Sequence, residues 1–327
     1  AGLLKPYAAK TLVGELKKEL NIPIHLHTHD STGAAVATVL AAAEAGVDIA
    51  DLAIESMSSL TSQPSMNAVV EALRGTPRDT GLDFDELSEL SRYYARIRKV
   101  YKSFEAEINS PNADIYKYEI PGGQYSNLSA QAKSMGASEA DFQKIKALYK
   151  DANELLGNIV KVTPTSKAVG DLAIFMYNNG LTKENILTEG AALAYPDSVV
   201  SYFQGMMGQP DGGFPAELQK IVLKDIKPLT VRPGSTLEPV DFAAIRKHLE
   251  QTYDFDLDEK TWELMEMSYA LYPKVYDEYC EHYEAYNDVT RLESHVYFFG
   301  LAKGEETTLK IDEGKEIIIK FLDMEER

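Results

Sequence analysis

The first 75 residues alternate between helix-like and strand-like patterns, and this alternation limits the possible folds more than any other feature. Residues 7–20 carry apolar side chains at helical spacing, and residues 33–45 form an alanine-rich helical pattern. Residues 22–28 and 47–54 are typical of short strands. Helices and strands that alternate with short loops predict parallel strands covered by helices. Two strands cannot close a sheet, so we expect either a small sheet or the tail of a larger α/β barrel whose first strands lie upstream.

The first of these strands carries three histidines within five residues: His25, His27 and His29. Alternate side chains of a strand share a face, and their Cα atoms are about 6.5 Å apart, so two imidazoles can bind one ion. We therefore predict that His27 and His29 form a metal-ligating pair, with His25 as a more buried supporting residue. The alternative is that all three are half-buried histidines with ordinary hydrogen-bond partners.

A polar loop, ESMSSLTSQPSM at residues 55–66, leaves the second strand at its carboxyl end. Parallel α/β barrels place their active sites at this end of the strands. We expect Ser62 or Ser65 to cap the next helix, which runs to Arg74. The loop is a candidate part of the site, and the alternative is a solvated serine-rich turn.

Composition and charge exclude several classes of protein. The hydrophobic fraction of 44% and the charged fraction of 26% are typical of a soluble globular protein. A formal net charge of −18 repels phosphate backbones and anionic lipids, so we expect no nucleic-acid partner and no membrane partner. The single cysteine, Cys280, allows no intrachain disulfide and no cysteine-based zinc cluster. We find no signal-peptide pattern and expect a cytoplasmic protein or a mature organelle protein.

Beyond residue 75 the patterns are mostly helical. A capping box formed by Ser138 and Asp141 opens one of these helices. Helices are predicted at residues 83–102, 138–156, 167–178, 197–206, 215–223, 241–253 and 259–286, and strands at residues 296–299, 307–311 and 316–321, with a hairpin turn at residues 312–314. A boundary is expected in the proline- and glycine-containing stretch 227–239. We divide the chain into residues 1–75, 76–240 and 241–327.

Two motifs in the helical region suggest binding chemistry. IPGGQYSNL at residues 120–128 contains a glycine pair that lets the backbone approach a ligand, and Gln124 can offer its amide to a urea or carboxylate group. By itself this motif is most often a junction between a loop and a helix.

The second motif, IVKVTPTSK at residues 159–167, is a strand-like run that stops at Pro164. We expect Thr165 and Ser166 to cap the following helix, which places Thr163 and Lys167 around a helix N-terminus, where anions are attracted. The alternative is a turn held by hydroxyl side chains, with a solvated lysine.

Five motifs in order along the whole chain resemble the pyruvate carboxylase family, in its carboxyltransferase region and the tetramerisation segment that follows. They are HLHTHD, SMSSLTSQPS, IPGGQYSNL, KVTPTSKAVGD and the terminal FFG…IIIK segment. The resemblance implies an α/β and mostly α fold. Residues 1–75 would be the C-terminal part of a TIM (β/α)8 barrel, residues 76–240 a helical funnel, and residues 241–327 a small α+β tetramerisation domain.

The same resemblance implies that His27 and His29 ligate a divalent metal, Mn or Zn. In the family, an aspartate of the first barrel strand and a carboxylated lysine complete the site, and we expect both to lie upstream of Ala1. The arginine and glutamine that clamp pyruvate are also expected upstream.

The resemblance further implies the roles of four residues in the helical region. Thr163 matches the threonine that carries a proton between biotin and the methyl carbon of pyruvate. Gln124, Ser166 and Lys167 match the pocket that receives biotin. The implied reaction moves the carboxyl group from carboxybiotin to the enolate of pyruvate and gives oxaloacetate.

The implied assembly extends beyond these residues. Biotin would arrive on a carrier domain, the enzyme would be a homotetramer, and acyl-CoA or a cyclic dinucleotide would be the allosteric effector. These residues contain no ATP-grasp domain and no Met-Lys-Met biotinylation motif. We therefore expect ATP and bicarbonate to be used at a separate biotin carboxylase domain.

Other functions remain open. Oxaloacetate decarboxylase and transcarboxylase subunits share the fold, but Asp30, Gln124 and Lys167 favour pyruvate carboxylase. An aldol-cleaving lyase of the same barrel class would share the His-x-His-Asp pattern and would lack the later motifs. A non-enzymatic alternative is an assembly module in which His27 and His29 bind a structural metal.

Overall fold

The computed structural model describes residues 2–105, 108–253, 257–312 and 314–324. The chain divides into two compact units, residues 1–236 and 237–327. The division falls inside the proline- and glycine-containing stretch 227–239.

The first unit begins with the predicted alternation of helix and strand. Its first elements are α1 (Pro6–Glu19), β1 (His25–Leu26), α2 (Ala35–Glu44) and β2 (Ile49–Ala50). The strands pair in parallel, His25 opposite Ile49 and Leu26 opposite Ala50, which confirms the predicted direction. Both strands are shorter than predicted, because each has only one neighbouring strand among the described residues and pairing stops where the chains diverge.

Small side chains hold this region together. Ala9, Val13, Ala42, Ala43 and Val47 form its buried cluster. Alanines on both helices let α1 and α2 approach closely, which explains why the sequence of α2 is so rich in alanine. The next helix, α3 (Met66–Leu73), is capped by the Ser65 hydroxyl, which accepts a hydrogen bond from the amide of Ala68 at 3.3 Å.

The rest of the first unit is helical. Its elements are α4 (Phe84–Val100), α5 (Ile115–Tyr118), α6 (Gly122–Ser134), α7 (Glu139–Leu155), α8 (Thr165–Asn178), α9 (Asp197–Gln204) and α10 (Ala216–Leu223). The predicted capping box at the start of α7 is confirmed. Tyr149 of α7, Leu172 and Met176 of α8 and Phe203 of α9 are fully buried in the largest core cluster. This core fixes the positions of α6 and α8.

Two local predictions near α8 are wrong. Residues 159–163 form no strand in the part of the chain that is described, and Val160 and Val162 are 81% and 62% exposed, because no neighbouring strand pairs with them. The N-cap residue of α8 is Pro164, whose side chain cannot form the capping hydrogen bond that was expected from Thr165 or Ser166. The Thr165 hydroxyl instead donates to the carbonyl of Val160 at 2.6 Å, so it fixes the preceding loop rather than the helix end.

The second unit contains α11 (Phe242–Thr252), α12 (Glu259–Leu271), α13 (Pro273–Tyr286), α14 (Ser294–Phe299), β3 (Glu306–Asp312) and β4 (Lys315–Lys320). Its buried cluster consists of Leu249, Tyr253, Trp262 and Cys280. The antiparallel pairing of β3 and β4 confirms the predicted hairpin, although residue 313 of its turn lies outside the described residues.

Two predictions for the second unit are corrected. The single helix expected at residues 259–286 is two helices, because Pro273 has no amide hydrogen to continue α12 and begins α13 instead. The strand expected at residues 296–299 is helix α14. Within the described residues, no helix has both the length and the apolar character needed to cross a membrane.

Candidate active site

The carboxyl ends of β1 and β2 bring two histidines and an aspartate together. Because the strands are parallel, the residues after Leu26 and after Ala50 lie at the same edge. His25 Nε2 lies 2.6 Å from one carboxylate oxygen of Asp51, and His27 Nδ1 lies 2.7 Å from the other. These hydrogen bonds, first from His25 and then from His27, hold the pKa of Asp51 below its usual range. The prediction that His25 and His27 share a face is confirmed.

His25 differs from its prediction in one respect. Its side chain is 51% exposed, almost as exposed as that of His27 at 54%, and His29 is the least exposed of the three, so the prediction of a more buried His25 is wrong. The reason is that both rings reach the same carboxylate, Asp51, which is itself 40% exposed at the strand edge.

His29 is held by a different partner. Its Nδ1 lies 2.6 Å from the carbonyl oxygen of Thr61, which can only accept a hydrogen bond. Nδ1 therefore carries the proton and Nε2 keeps its lone pair. Partial burial lowers the pKa of His29, which favours the neutral ring. The rings of His27 and His29 lie 5.2 Å apart between centroids, at 87° to each other.

The loop that supplies the Thr61 carbonyl has an unusual backbone. Ser59 and Leu60 both have positive φ angles, 72° and 57°, a region that non-glycine residues seldom adopt. Such conformations persist where surrounding contacts impose them. The amide of Asp30 donates to the carbonyl of Ser62 at 2.9 Å, so the loop is tied directly to the segment that carries His29.

Side chains from α3 and α4 hold the start of the same loop. Buried Asn67 accepts a hydrogen bond from the amide of Glu55 at 3.2 Å, and buried Ser91 accepts one from the amide of Ser56 at 3.1 Å. Arg98 donates to the carbonyl of Ser56 at 2.7 Å. The polar loop is therefore a fixed part of the strand edge and not a solvated turn.

The N-terminus of α6 packs directly against the histidine segment. A Cβ atom on Gly122 would lie 2.2 Å from the hydroxyl oxygen of buried Ser31 and 3.4 Å from the Cβ of His29. No side chain fits at Gly122 unless Ser31 moves. Gly122 thus lets backbone lie against the His29 segment, whereas the sequence predicted that the glycine pair would approach a ligand. Both glycines lie in the first turn of α6.

Gln124 connects α6 with α8. Its side chain is buried, and a Cβ atom on Gly170 would lie 2.3 Å from its Nε2 atom. Ser166 is also buried and lies one helical turn before Gly170 on the same face of α8. Within the described residues the Gln124 amide has no hydrogen-bond partner, so it is free to bind a ligand.

Thr163 and Lys167 lie at the start of α8, and both are exposed. Lys167 pairs with Asp171 one turn further along the helix. Neither residue makes a hydrogen bond to Gln124, His27 or His29 in the described part of the chain. The structure therefore places Gln124 against α8 at Gly170, buries Ser166 on the same helix, and leaves Thr163 and Lys167 exposed at the start of α8.

Two features of the site were missed by sequence reasoning. One is Asp51, which parallel pairing of residues 22–28 with 47–54 could have placed opposite the histidines. The other is the ion pair between Lys161 and Glu119, 3.0 Å apart, which joins the ends of the two motifs. Glu119 has a φ of 57°, and nothing in the sequence signals this conformation.

The donor set fits a divalent metal in its chemistry but does not complete a site. No group of three or more His, Cys, Asp or Glu side chains among the described residues is arranged to hold a metal ion. His27 and His29 both use Nδ1 for a hydrogen bond, which leaves both Nε2 atoms available. Two imidazole nitrogens suit Zn or Mn equally, and further ligands would be needed.

Comparison with known families identifies the class of protein. Residues 115–320 match the family model described as the conserved carboxylase domain, and residues 1–93 match the HMGL-like family. The chain belongs to the conserved carboxylase domain family.

Within this family the chain is similar to the carboxyltransferase region of pyruvate carboxylase. It is 48% identical over 321 residues to the pyruvate carboxylase of Staphylococcus aureus, covering 98% of this chain and 28% of that protein. It is 44% identical over 326 residues to the pyruvate carboxylase of Bacillus subtilis, covering 100% of this chain and 28% of that protein. The chain thus spans little more than a quarter of the length of these relatives.

The structure agrees with the sequence comparison. The carboxyl transferase domain of Rhizobium etli pyruvate carboxylase, solved with pyruvate and biocytin, matches with a TM-score of 0.91 at 43% identity, covering 97% of this chain and 53% of that one. The predicted fold, part of a TIM barrel followed by a mostly helical region, is confirmed.

Proposed function

We propose that this chain is the carboxyltransferase part of a pyruvate carboxylase, which transfers the carboxyl group from carboxybiotin to the enolate of pyruvate and forms oxaloacetate. One observation carries the proposal: three motifs distant in sequence meet through two glycine contacts, Gly122 against Ser31 and Gly170 against Gln124. The relative from Rhizobium etli, solved with pyruvate and biocytin, supports the choice of substrate and cofactor.

In this proposal His27 and His29 hold a divalent metal, Mn or Zn, through their Nε2 atoms. When bound, such an ion acts as a Lewis acid that stabilises negative charge on a substrate oxygen. The hydrogen bonds to Asp51 and to the Thr61 carbonyl engage both Nδ1 atoms, so both Nε2 atoms would be left to hold the ion.

Gln124, Ser166 and Lys167 form the proposed biotin pocket. The unpaired amide of Gln124 can donate to and accept from a ureido group, which carries both kinds of partner. Ser166 adds a buried hydroxyl on the same helix face, and Lys167 places a positive charge at the rim. Burial of the first two residues excludes water from one side of the transferred carboxyl group.

Thr163 moves the proton in this proposal. Its hydroxyl accepts a proton from the methyl carbon of pyruvate while it gives its own proton to the biotin nitrogen, so the oxygen carries no net charge before or after transfer. A threonine is a poor base in water, and position between the two partners makes the exchange possible. The exposed turn before α8 leaves the hydroxyl open to both.

The wider proposal includes a biotin carrier domain, a homotetramer and a cytoplasmic location, with ATP and bicarbonate used at another domain. Apolar side chains of α12 and α13 support an assembly surface, since Leu271, Tyr272 and Val275 are 70%, 65% and 63% exposed. A single buried thiol, Cys280, is in keeping with a reducing compartment.

Replacing Thr163 tests the proposal. In the intact enzyme, Thr163→Ala is expected to lower oxaloacetate formation by about 100-fold or more, while ATP-dependent carboxylation of biotin stays normal. The two half-reactions are measured separately, by trapping oxaloacetate and by following ADP release in the absence of pyruvate.

Thr188→Ala is the matched control, because Thr188 is an exposed threonine whose hydroxyl, among the described residues, bonds only the backbone of Asn185. It should leave both half-reactions unchanged. Oxaloacetate formation at the normal rate by the Thr163→Ala enzyme would show that the proposed role of Thr163 is wrong.

A further inference from the structure

We propose that Asp51 is a positioning residue for His27: its carboxylate fixes the ring with the proton on Nδ1 and leaves Nε2 to bind the metal. The inference rests on the proposed metal site at His27 and His29 and names a residue outside that ligand pair.

Backbone pairing places Asp51 beside the histidine segment. The amide of Asp51 donates to the carbonyl of Leu26 at 2.9 Å, which continues the β1–β2 pairing by one residue. The side chains of His27 and Asp51 meet at this edge, where Asp51 Oδ2 lies 2.7 Å from His27 Nδ1. The contact thus follows from the register of two parallel strands and not from a chance meeting of surface side chains.

The chemistry of the contact determines the tautomer of His27. An ionised carboxylate only accepts hydrogen bonds, so the neutral imidazole must carry its proton on Nδ1. Its lone pair then lies on Nε2, the atom on the far side of the ring. An imidazole fixed in this way is a better metal ligand than a free one, because no rotation or proton shift is needed before it binds.

His29 shows the same arrangement with a different acceptor. Its Nδ1 lies 2.6 Å from the Thr61 carbonyl, which also can only accept. Two adjacent histidines are therefore held in the same tautomer by two unrelated elements, a strand-end carboxylate and a loop carbonyl. Hydrogen bonds that only stabilise the fold would not require both histidines to have the same tautomer. A metal shared through the Nε2 atoms requires Nε2 to be free on both rings.

His25 has a supporting role in this arrangement. Its Nε2 lies 2.6 Å from the second oxygen of Asp51, so the carboxylate is held on both sides. With Nε2 engaged in this way, His25 steadies Asp51.

The test is a Co²⁺ titration of the intact, metal-free protein, followed through the visible d–d absorption band. Asp51→Ala is expected to weaken Co²⁺ binding by about 10- to 100-fold and to alter the band at saturation, because the ring of His27 is no longer fixed. His27→Ala should abolish binding at the same site.

Asp48→Ala is the matched control. Asp48 lies three residues before Asp51, also has a lowered pKa, and contacts the Ile24 amide and Lys17 instead of a histidine. It should bind Co²⁺ within about 3-fold of the wild type.

The outcomes separate the inference from the proposed function. Wild-type Co²⁺ binding by His27→Ala would overturn the metal site itself. Loss in His27→Ala with binding within about 3-fold of the wild type in Asp51→Ala would overturn the role of Asp51 alone. Equal weakening in Asp48→Ala and Asp51→Ala would show general damage to the strand edge and would also overturn that role.

Discussion

The two sides of the candidate site are held in place by different physical means. On the strand side, hydrogen bonds to Asp51 and Thr61 set the orientation of His27 and His29. On the helix side, close contacts at Gly122 and Gly170 set the position of α6 and of the Gln124 side chain. Hydrogen bonds constrain the direction of a ring, whereas glycine contacts constrain the distance between elements. The strand side should therefore be sensitive to lost polar atoms, and the helix side to added carbon atoms.

Adding one methyl group at Gly122 should destabilise the helix side of the site more than any other change considered below. The new Cβ atom would meet the Ser31 hydroxyl at 2.2 Å, and Ser31 is 5% exposed with little room to move. Gly122→Ala is expected to destabilise the contact by about 1–3 kcal/mol and to lower oxaloacetate formation. Hydrogen exchange of the α6 peptides in the intact protein measures the loss of stability.

The neighbouring residue provides a control for Gly122→Ala. Within the described part of the chain, a Cβ atom on Gly123 would meet nothing within 4 Å, so Gly123→Ala should be neutral or stabilise α6 by up to about 1 kcal/mol. The double variant Ser31→Ala, Gly122→Ala should recover much of the loss, because it removes the clashing oxygen. Equal protection in the two single variants would contradict the steric explanation.

Gly170→Ala, also on the helix side, should move the Gln124 side chain with little change in the stability of the protein. The atom that a new Cβ would meet at 2.3 Å is Nε2 of Gln124, the end of a flexible side chain that can move aside. We expect a change in stability below about 1 kcal/mol, since alanine also favours the helix. Displacement of the Gln124 amide should lower carboxyl transfer by about 10- to 100-fold.

The measurement compares carboxyl transfer to pyruvate with ATP-dependent biotin carboxylation in the intact enzyme. Gly14→Ala is the control, because Gly14 is a helical glycine of α1 and none of the described residues lies within 4 Å of an added Cβ atom. Normal transfer by Gly170→Ala would mean that the position of Gln124 is not important for the reaction.

The strand side could largely be predicted from sequence. Alternation of His25, His27 and His29 favours one face where the chain is extended, because the two-residue period of a strand is local. The structure confirms this for His25 and His27, which both reach Asp51. The burial of His25 was predicted wrongly, since exposure depends on what covers the strand edge. Asp51 needs one further step, the register of β1 against β2.

The helix side could be predicted only in outline. The glycine pair in IPGGQYSNL predicts a close approach of backbone. The partner of Gly122 is Ser31, which lies 91 residues earlier in the sequence, so no local pattern could identify it. The expected caps at Thr165 and Ser166 failed for a related reason. A threonine near a helix start can bond the helix or the loop before it, and here the Val160 carbonyl was within reach.

A smaller loss of stability than that of Gly122→Ala is expected at the ion pair that joins the ends of the two helix-side motifs. The Lys161 side chain is 8% exposed, and its partner Glu119 is 46% exposed. Glu119→Gln keeps the shape but removes the charge, so Lys161 loses its counter-charge where little water reaches it. Because Glu119 is half in solvent, we expect a loss of only about 1 kcal/mol.

Glu44→Gln sharpens this last prediction, because Glu44 pairs with Lys10 at 2.9 Å where both side chains are more than half exposed. Its removal should change stability by less than about 0.5 kcal/mol, since water replaces the lost partner of an exposed lysine. Hydrogen exchange of peptides covering residues 115–125 and 157–167 measures the first variant, and peptides of α1 and α2 measure the second. If both variants lose the same stability, burial of Lys161 adds nothing, and glycine contacts alone would hold the helix side together.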